Sequence, residues 1–444
     1  MPVDWQSTRA EVTRHLQELI RFNTVNPPGN ETQAAAYLAR AAEGDGIEAR
    51  VEESAPGRGN FVARIRGEGR GRPLLLMAHS DVVSVEPEKW THDPFGGEVV
   101  GEQVWGRGAV DTKDLVACEL MVMLLVKRQG LTLDRDLIMC TFADEEAGGH
   151  YGADWMWQNR RELIDAEVAI NEGGGFAVDI AGHRFYLCQT GEKGGARMRL
   201  TARGAAGHAS MPLPDTAMLH AGHAAIALTE HTFPTVMTET ATRMLRSIAA
   251  TVGGDLERQV DTVLADPRWE NLARLPLDET QRRMLYAGTR NTAVPTIIHG
   301  GHRINVIPSE IEIDVDGRIL PGQSPEDFAE AVRAVVGQDA QVELTSRGGG
   351  LEADPGSPLF ETIGSVIGEL DPGAAVVPFL VPGGTDAKSL PGVKVYGFMP
   401  TRYHPEEFDL AHGHDERVSI DNLDFGTRAL YEIVTRYCGA RGAR

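Results

Sequence analysis

Cysteine is scarce in this chain, and the shortage excludes two kinds of stabilising site. Only 4 cysteines occur among 444 residues, and no two of them lie close together in the sequence. A disulfide framework and a cysteine-based zinc site are therefore not expected. Cys118 and Cys140 lie inside apolar runs, where a free cysteine packs as a small core residue.

Basic charge is also in short supply. The chain carries 43 lysine and arginine residues against 64 aspartate and glutamate residues, which gives a formal net charge of −21. Nucleic acids and anionic membranes bind cationic surfaces, so this composition argues against both as partners. The acidic excess favours solubility and identifies no substrate.

Long apolar runs are missing as well. The longest, from Leu115 to Val126, contains Glu119 and is too short to cross a bilayer. The first residues do not show the basic and then apolar pattern of a signal peptide. A cytoplasmic location is therefore the expectation.

The length and the composition of the chain predict a folded protein of two or three domains. Its hydrophobic share of 42% and charged share of 24% are typical of globular proteins. In the first part, helical periodicity alternates with short and almost wholly apolar strands. Helices are predicted at 4–22, 31–43, 115–128 and 155–163, and strands at 61–65, 73–78, 136–143 and 166–171. This alternation predicts an α/β domain with a mainly parallel sheet.

From about residue 194 the pattern changes to strands in which polar and apolar residues alternate. Strands are predicted at 197–203, 310–317 and 341–345, and helices at 216–229, at 325–336 and within 232–290. Such one-sided strands predict a smaller α+β domain with an antiparallel sheet. A helix at 357–370 and a strand at 393–398 then resume the first pattern. We therefore expect a first domain over 1–193 and 348–444, with a second domain over 194–347 inserted into it.

Histidine and carboxylate side chains follow three of the predicted parallel strands. His79, the pair Glu145 and Glu146, and Glu172 each come at or shortly after the end of one strand. In an open parallel sheet, ligands bind beyond the carboxyl ends of the strands. The sequence therefore predicts that these side chains form one cluster at one edge of the sheet.

Two further candidates are ambiguous when the residues are considered alone. Asp111 precedes the apolar helix at 115–128, where an aspartate is commonly a helix cap. His412 lies in a polar loop, and such a histidine need not bind anything.

Five motifs occur in order along nearly the whole chain. They are His-Ser-Asp at 79–81, Gly-Arg-Gly-Ala-Val-Asp-Thr-Lys at 106–113, Asp-Glu-Glu at 144–146, Asn-Glu-Gly-Gly at 171–174 and His-Gly-His-Asp-Glu at 412–416. Together they resemble the M20 family of metallopeptidases, which includes carboxypeptidases, aminoacylases, acetylornithine deacetylase and succinyl-diaminopimelate desuccinylase. The resemblance implies a dinuclear-metal catalytic domain with an inserted lid and dimerisation domain.

The resemblance implies a site for two divalent metal ions, with zinc as the expected metal and cobalt or manganese as alternatives. His79 and Glu172 are expected to bind one ion, Glu146 and His412 the other, and Asp111 to bridge both. Two histidines and three carboxylates suit these metals on chemical grounds as well.

The resemblance also assigns chemical roles beside the metals. Glu145 is expected to be the general base that activates a metal-bridging water for attack on an amide carbonyl. Asp81 is expected to orient the imidazole of His79. The expected reaction is cleavage of an amide bond in a small peptide or an N-acyl amino acid.

The inserted domain carries residues that resemble the lid residues of the family. His208 is expected to stabilise the oxyanion in a partner's active site, which implies a homodimer. Asn305 and Arg318 are expected to hold a substrate carboxylate, a task that suits the planar fork of arginine. The loop of Gly383, Gly384 and Thr385 resembles a glycine-rich substrate loop.

Other functions predict other features. A catalytically silent relative that only binds peptides or amino-acid conjugates would lack the base or a metal ligand, and this sequence keeps all of them. A two-metal phosphatase or nuclease would need cations that hold phosphate, against which the acidic composition argues. Asp114 stands where the family commonly has glycine, so its charge is expected to affect metal binding or the start of the helix. The glycines at 173–175 are expected to form a flexible turn.

Overall fold

A computed structural model describes residues 2–403 and 405–442 of the chain. The chain divides into two units. The first comprises residues 1–190, 353–379 and 385–444, and the second comprises residues 191–352 and 380–384. The second unit is thus an insertion in the sequence of the first.

Helices and strands occur in both units. The helices are α1 (Trp5–Arg21), α2 (Thr32–Gly44), α3 (Lys113–Arg128), α4 (Ala153–Asn159), α5 (Arg161–Ile164), α6 (Ala217–Glu230), α7 (Glu239–Val252), α8 (Asp255–Ala265), α9 (Trp269–Leu272), α10 (Glu279–Gly288), α11 (Pro325–Val336), α12 (Pro358–Leu370) and α13 (Ile420–Tyr437). The strands are β1 (Glu48–Glu53), β2 (Gly59–Ile65), β3 (Leu74–His79), β4 (Glu98–Val100), β5 (Gln103–Trp105), β6 (Leu137–Phe142), β7 (Val168–Asn171), β8 (Ala177–Ile180), β9 (His183–Glu192), β10 (Gly194–Gly195), β11 (Met198–Arg203), β12 (Gly207–His208), β13 (Thr292–Gly300), β14 (Val306–Ile307), β15 (Glu310–Ile319), β16 (Gln341–Leu344), β17 (Leu351–Glu352), β18 (Ala375–Val381), β19 (Lys394–Gly397) and β20 (Arg417–Ser419).

Several helices begin where a polar side chain caps the first turn. Asp4 accepts hydrogen bonds from two backbone N–H groups at the start of α1. Ser324 and Ser357 cap α11 and α12, and each is followed by proline at the first helical position. Proline suits that position because its missing N–H has no partner within the helix there. These local signals explain why the sequence predicts the helix at 325–336 with the observed bounds.

The central sheet of the first unit is parallel in the middle and antiparallel at its sides. Its strands lie in the order β1, β2, β6, β3, β7, β19 and β9, and both β8 and β18 pair with β9. The strands β6, β3, β7 and β19 run parallel to one another, whereas β2 is antiparallel to β6 and β9 is antiparallel to β19. The predicted α/β class with a mainly parallel central sheet is therefore confirmed.

Apolar side chains cover both faces of this sheet. In β3, Leu74 and Leu76 pack into the core on the side of α3, whereas Leu75 and Met77 pack into a second core on the opposite side. Burial of each such side chain contributes about 1.5–3 kcal/mol to folding. The central strands are therefore apolar along their whole length, and their polar residues come only at their ends.

The second unit contains an antiparallel sheet in which one face is buried. Its strands lie in the order β16, β11, β15 and β13, with β10 continuing the line of β11. Along β15, Ile311, Ile313 and Val315 are buried and alternate with more exposed acidic residues. The buried side chains pack with Phe328 of α11. The helices α7 to α10 occupy the segment that the sequence marks as an additional helical region.

Several elements of the first unit are absent from the sequence prediction, among them β1, β8, β18 and α13. Two further differences have a physical reason. The single helix predicted at 155–163 is two helices, because Arg160 leaves the helical conformation with φ −141°. The sequence does not predict the strand β9, because polar residues near its carboxyl end, including Gln189 and Glu192, interrupt the apolar pattern. The structure buries these polar residues together with the rest of the strand. Among the described residues, no helix is both long and apolar enough to cross a membrane.

Candidate active site

Three neighbouring parallel strands direct polar side chains to one edge of the central sheet. His79 ends β3 and lies beside Phe142, the last residue of β6. Glu145 and Glu146 follow β6 in a short 3₁₀ turn, and Glu172 follows β7. Because the three strands are adjacent and parallel, these residues leave the sheet on the same side.

Asp111 faces two histidines, one with each oxygen of its carboxylate. His79 Nε2 lies 3.1 Å from Asp111 Oδ1, and His412 Nε2 lies 3.0 Å from Asp111 Oδ2. A carboxylate placed in this way can contact two separate cations. The two residues that are ambiguous in sequence, Asp111 and His412, therefore lie in the same cluster as His79.

Two glutamates lie beside the two histidines. Glu172 Oε1 is 3.6 Å from His79 Nε2, and Glu146 Oε1 is 3.1 Å from His412 Nε2. The Nε2 atom of each imidazole therefore lies close to one glutamate oxygen and to one oxygen of Asp111. The structure thus brings together all five residues expected to bind metal.

Electrostatics in the cluster favours added positive charge. Burial raises the pKa of Glu172, and nearby Asp111 and Glu146 raise it further, although His79 opposes them. Hydrogen bonds to Asp111 and Glu146 raise the pKa of His412 to about 10. Crowded buried carboxylates hold cations in place of solvent, and imidazole nitrogen with carboxylate oxygen is a donor set for zinc, cobalt or manganese. The residues present therefore fit divalent metal ions.

Asp81 is buried behind the cluster and organises the backbone that follows β6. Its Oδ1 accepts a hydrogen bond from the Glu145 N–H at 3.0 Å, and its Oδ2 accepts one from the Glu146 N–H at 3.1 Å. His79 Nδ1 lies 3.0 Å from the Asp81 carbonyl oxygen and 3.5 Å from its Oδ1. The closer contact of His79 Nδ1 is thus with the backbone of residue 81 rather than with its carboxylate.

Glu416 joins the two loops that carry Asp111 and His412. Its carboxylate is fully buried and accepts hydrogen bonds from three backbone N–H groups between positions 108 and 111, at 2.8–3.1 Å. It also accepts one from Arg107 Nη1 at 2.6 Å. Arg107 Nη2 in turn donates to the carbonyl oxygens of His412 and the next residue. The motif at 412–416 therefore contributes two residues: His412, which lies in the cluster, and Glu416, which holds the two loops together.

Glu145 and Glu146 lie in a 3₁₀ turn, in which successive side chains leave the backbone in different directions. One ligand atom from each of His79, Glu145 and Glu172 lies within 4.8 Å of the other two. Burial raises the pKa of Glu145 well above its usual range, and Glu172 adds to the effect. Lys388 Nζ lies 4.0 Å from Glu145 Oε1. Glu145 is thus a carboxylate inside the cluster whose immediate surroundings favour proton uptake.

The glycines at 173–175 are packed, so the expectation of a flexible turn is wrong. A Cβ at Gly174 would lie 2.6 Å from the carbonyl oxygens of both Gly397 and Leu187. Only glycine allows the chain to pass this close to β19 and β9. This packing fixes the backbone next to Glu172.

Thr385 is also buried and contacts the strand that leads to Glu172. Its Oγ1 accepts a hydrogen bond from Asn171 Nδ2 at 3.0 Å. Gly383 and Gly384 belong to the second unit, whereas Thr385 belongs to the first. Substrate binding by these three residues stays a prediction.

The expected lid residues lie in two places within the second unit. His208 and Asn305 lie on adjacent, exposed segments, since β12 pairs with β14 and the Ala209 N–H donates to the Asn305 carbonyl oxygen at 3.0 Å. Arg318 lies near the end of β15 in the five-stranded sheet, and its Nε donates to Asp316 Oδ1 at 2.9 Å. The structure thus brings His208 and Asn305 together and leaves Arg318 with a different neighbour.

Asp114 is fully buried in the first turn of α3. Burial raises the pKa of its carboxyl well above the usual range, and Glu416 and Asp111 raise it further. Its Oδ1 accepts a hydrogen bond from the Leu115 N–H at 2.8 Å. Burial therefore disfavours the negative charge that the sequence suggests at the start of the helix.

Asn26 and Arg58 lie beside the site, although no sequence motif includes them. Asn26 Nδ2 donates to Asp81 Oδ2 at 2.8 Å and to Asp144 Oδ1 at 2.9 Å, and Arg58 Nη2 donates to Asp144 Oδ1 at 2.8 Å. In sequence, Asn26 belongs to a cluster of helix breakers and Arg58 to a polar turn, so neither carries a recognisable motif.

Comparison with known proteins adds an independent line of evidence. A sequence model of Peptidase family M20/M25/M40 matches residues 75–436. Probable carboxypeptidase S-like 2 of Dictyostelium discoideum is 27% identical over 376 residues, which cover 82% of this chain and 71% of that protein. Aminoacylase-1 of Homo sapiens is 26% identical over 434 residues, which cover 93% of both proteins.

A solved structure has the same fold. The M20 family metallo-carboxypeptidase Sso-CP2 from Sulfolobus solfataricus aligns with a TM-score of 0.71 and 18% sequence identity, over 96% of this chain and 99% of that chain. At this identity the likeness concerns the fold alone.

Proposed function

Because this chain belongs to Peptidase family M20/M25/M40, we propose that it hydrolyses an amide bond in a small peptide or an N-acyl amino acid. The observation that carries the proposal is that Asp111 presents one carboxylate oxygen to each of two histidines. Similar proteins are named as a carboxypeptidase and as an aminoacylase, which supports this substrate class. A silent binding protein is not favoured, since the cluster lacks none of the expected residues.

The proposed site holds two divalent metal ions. His79 and Glu172 would hold one ion, Glu146 and His412 would hold the other, and Asp111 offers one carboxylate oxygen toward each side. When bound, the ions polarise the substrate carbonyl and make water a stronger nucleophile. Zinc is the proposed metal, with cobalt and manganese as alternatives that suit the same donors.

Glu145 is the proposed general base. Its carboxylate lies within the cluster, and burial favours its protonated form, so it can accept a proton from the attacking water. The same carboxylic acid then donates the proton to the nitrogen of the leaving amine. Asp81 keeps the Glu145 backbone in place through the hydrogen bond that its carboxylate accepts.

Arg318 is the proposed binding residue for a free substrate carboxylate, and Asn305 is proposed to bind the same carboxylate.

The test compares the hydrolysis of an N-acyl amino acid with that of its C-terminal amide. It uses protein that is stripped of metal and then reloaded with zinc, cobalt or manganese. We expect chelation to remove activity and reloading to restore it. We expect Arg318→Met to lower kcat/KM for the free acid about 30–150-fold, since a charged hydrogen bond contributes about 2–3 kcal/mol.

Arg199→Met is the matched control for this experiment. Arg199 lies in the same sheet and donates from Nε to Asp314 Oδ1 at 2.9 Å, as Arg318 does to Asp316. We expect the Arg199→Met variant to hydrolyse both substrates with the kcat/KM of the wild type. Activity that survives complete metal removal would contradict the proposed function, and equal losses for the acid and the amide would contradict the role of Arg318.

We expect a homodimer that forms through the second unit. Among the described residues no strand pairs with the outer edge of β13, and Val294 and Ile298 of this strand are exposed, as are Met218 and Ile226 of α6. An open strand edge beside exposed apolar side chains is a surface that a second copy can cover. His208, which resembles the residue that acts in a partner's site, lies in the same unit.

A lysine at this edge tests the dimer. We expect Ile298→Lys to give a folded monomer in light scattering and to lower kcat about 10²-fold, because His208 would lose the site that it completes. Val99→Lys is the control, since Val99 is an exposed apolar residue of the first unit (44% exposed, against 61% for Ile298) and should leave a dimer. A fully active Ile298→Lys monomer would exclude the role of His208.

A further inference from the structure

We infer that Arg58 is a positioning residue for Glu145, which it holds in place through Asp144 and Asp81. The inference rests on the proposed function, because it assumes that Glu145 is the base. Arg58 lies in the turn between β1 and β2, outside the five motifs, and its side chain is only 8% exposed.

Arg58 makes a branched set of contacts. Its Nη2 donates to Asp144 Oδ1 at 2.8 Å and to Glu31 Oε1 at 2.9 Å. Its Nη1 donates to the Pro28 carbonyl oxygen at 3.0 Å, and its guanidinium lies 5.1 Å from the ring centre of Tyr151. A planar group with several fixed donors suits this geometry, which a lysine could satisfy only in part.

Asp144 is the residue through which Arg58 reaches the site. It has a positive φ of 70°, a left-handed conformation that is uncommon for residues with a side chain and that hydrogen bonds of the side chain can stabilise in aspartate. Its Oδ1 accepts from Arg58 and Asn26, and its Oδ2 accepts from the Tyr151 N–H at 3.0 Å. These bonds fix the backbone immediately before Glu145.

Asn26 connects Asp144 to Asp81, the second residue that holds the turn at Glu145 and Glu146. Its single amide nitrogen donates to Asp144 Oδ1 at 2.9 Å and to Asp81 Oδ2 at 2.8 Å. Asp81 in turn accepts the N–H groups of Glu145 and Glu146. The turn that carries both glutamates is therefore held from both sides by one connected network.

Charge and space within the network both require arginine at position 58. Three buried carboxylates, from Glu31, Asp81 and Asp144, surround Asn26 and Arg58, and Arg58 supplies a buried cation to two of them. A Cβ at Gly29 would lie 2.4 Å from the Arg58 guanidinium carbon, so this glycine leaves room for the arginine. Loss of the cation would leave Asp144 and Glu31 buried without a counterion and would release the turn.

Release of the turn would shift Glu145 without removing it. A displacement of about 1 Å of a reacting group lowers the rate about 10²-fold, because the base no longer meets its proton at hydrogen-bond distance. Substrate binding does not depend on Glu145 in the proposed mechanism. The inferred role therefore affects kcat and leaves KM nearly unchanged.

The experiment measures the turn directly and the reaction separately, in Arg58→Gln, in Arg58→Lys and in the wild type. We expect Arg58→Gln to speed amide hydrogen exchange in a peptide that covers residues 143–148 at least about tenfold, as local opening becomes easier. We expect its kcat to fall about 10²-fold with KM unchanged. Arg58→Lys should lie between Arg58→Gln and the wild type in both measurements.

Arg135→Gln is the matched control. Arg135 is also a partly buried arginine of the first unit, with an ion pair to Glu167 at 3.1 Å and a ring contact to Tyr437 at 4.3 Å. We expect it to leave exchange at 143–148 and kcat unchanged. If Arg58→Gln does not fold, Asn26→Ala removes the connecting amide and should give the same pattern.

Wild-type exchange at 143–148 in Arg58→Gln would overturn the inference, and so would faster exchange with an unchanged kcat. A uniform rise in exchange over the whole unit would reduce Arg58 to a residue of general stability and would overturn it too. If the wild type cleaves no amide, the proposed function fails, whereas the exchange result still tests the connection between Arg58 and the turn.

Discussion

Replacing Glu145 with glutamine should lower kcat about 10²–10⁴-fold, the usual contribution of a general base. Glutamine keeps the size of the side chain and removes its ability to take a proton. KM should change little, because the base acts on water rather than on bound substrate. Steady-state kinetics of metal-loaded protein would measure both parameters.

Metal analysis of the same variant separates two roles that the geometry allows. Glu145 lies as close to His79 and Glu172 as a metal ligand would, so loss of an ion in Glu145→Gln would identify it as a ligand. We expect the variant to retain the metal content of the wild type. Glu167→Gln, which alters a glutamate outside the cluster, should match the wild type in both metal content and kcat.

Replacing Asp111 with asparagine should remove both metal ions and reduce activity to the background. The two oxygens of Asp111 face different histidines, so an amide that offers one oxygen and one NH₂ group cannot serve both sides. Loss of one anionic charge from a crowded site also weakens attraction for both ions at once. Metal content per chain, measured after gel filtration, tests this expectation.

Two further variants make this result specific. His412→Gln should lower the content by one ion rather than two, because His412 approaches only one side of Asp111. Asp114→Asn should retain both ions, since the Asp114 side chain accepts a hydrogen bond from the Leu115 N–H of its own helix, which an asparagine oxygen can also accept. Retention of two ions by Asp111→Asn would contradict the shared role of this carboxylate.

The sequence predicts the site best where chemistry and secondary structure coincide. His79, Glu146 and Glu172 stand at the ends of apolar strands, and the order of parallel strands then brings them together. Asp111 and His412 have no such signal, because loops place them. For these two residues, only the resemblance to a family predicts a role in metal binding. The structure shows that they lie in the same cluster as His79.

The supporting residues could not be predicted in the same way. Arg58 and Asn26 reach Asp144 from segments 86 and 118 positions away, and nothing in their local sequence marks either of them. The packed glycines at 173–175 depend on how closely β19 and β9 approach, a property of the folded sheet. Asp114 suggests a charge, which burial disfavours because it raises the pKa of the carboxyl. Each of these facts depends on tertiary contacts rather than on local pattern.

The order of strands in the central sheet also has a consequence for how the protein is made. The strand β19 fills the place between β7 and β9, and α13 packs against both α1 and α3. A ribosome adds these two elements only after the whole second unit, so the core of the first unit stays open while more than 150 intervening residues emerge. The second unit contains its own core and can fold during that interval. We therefore expect the first sheet to close, and His412 to reach Asp111, only after the whole second unit has been synthesised.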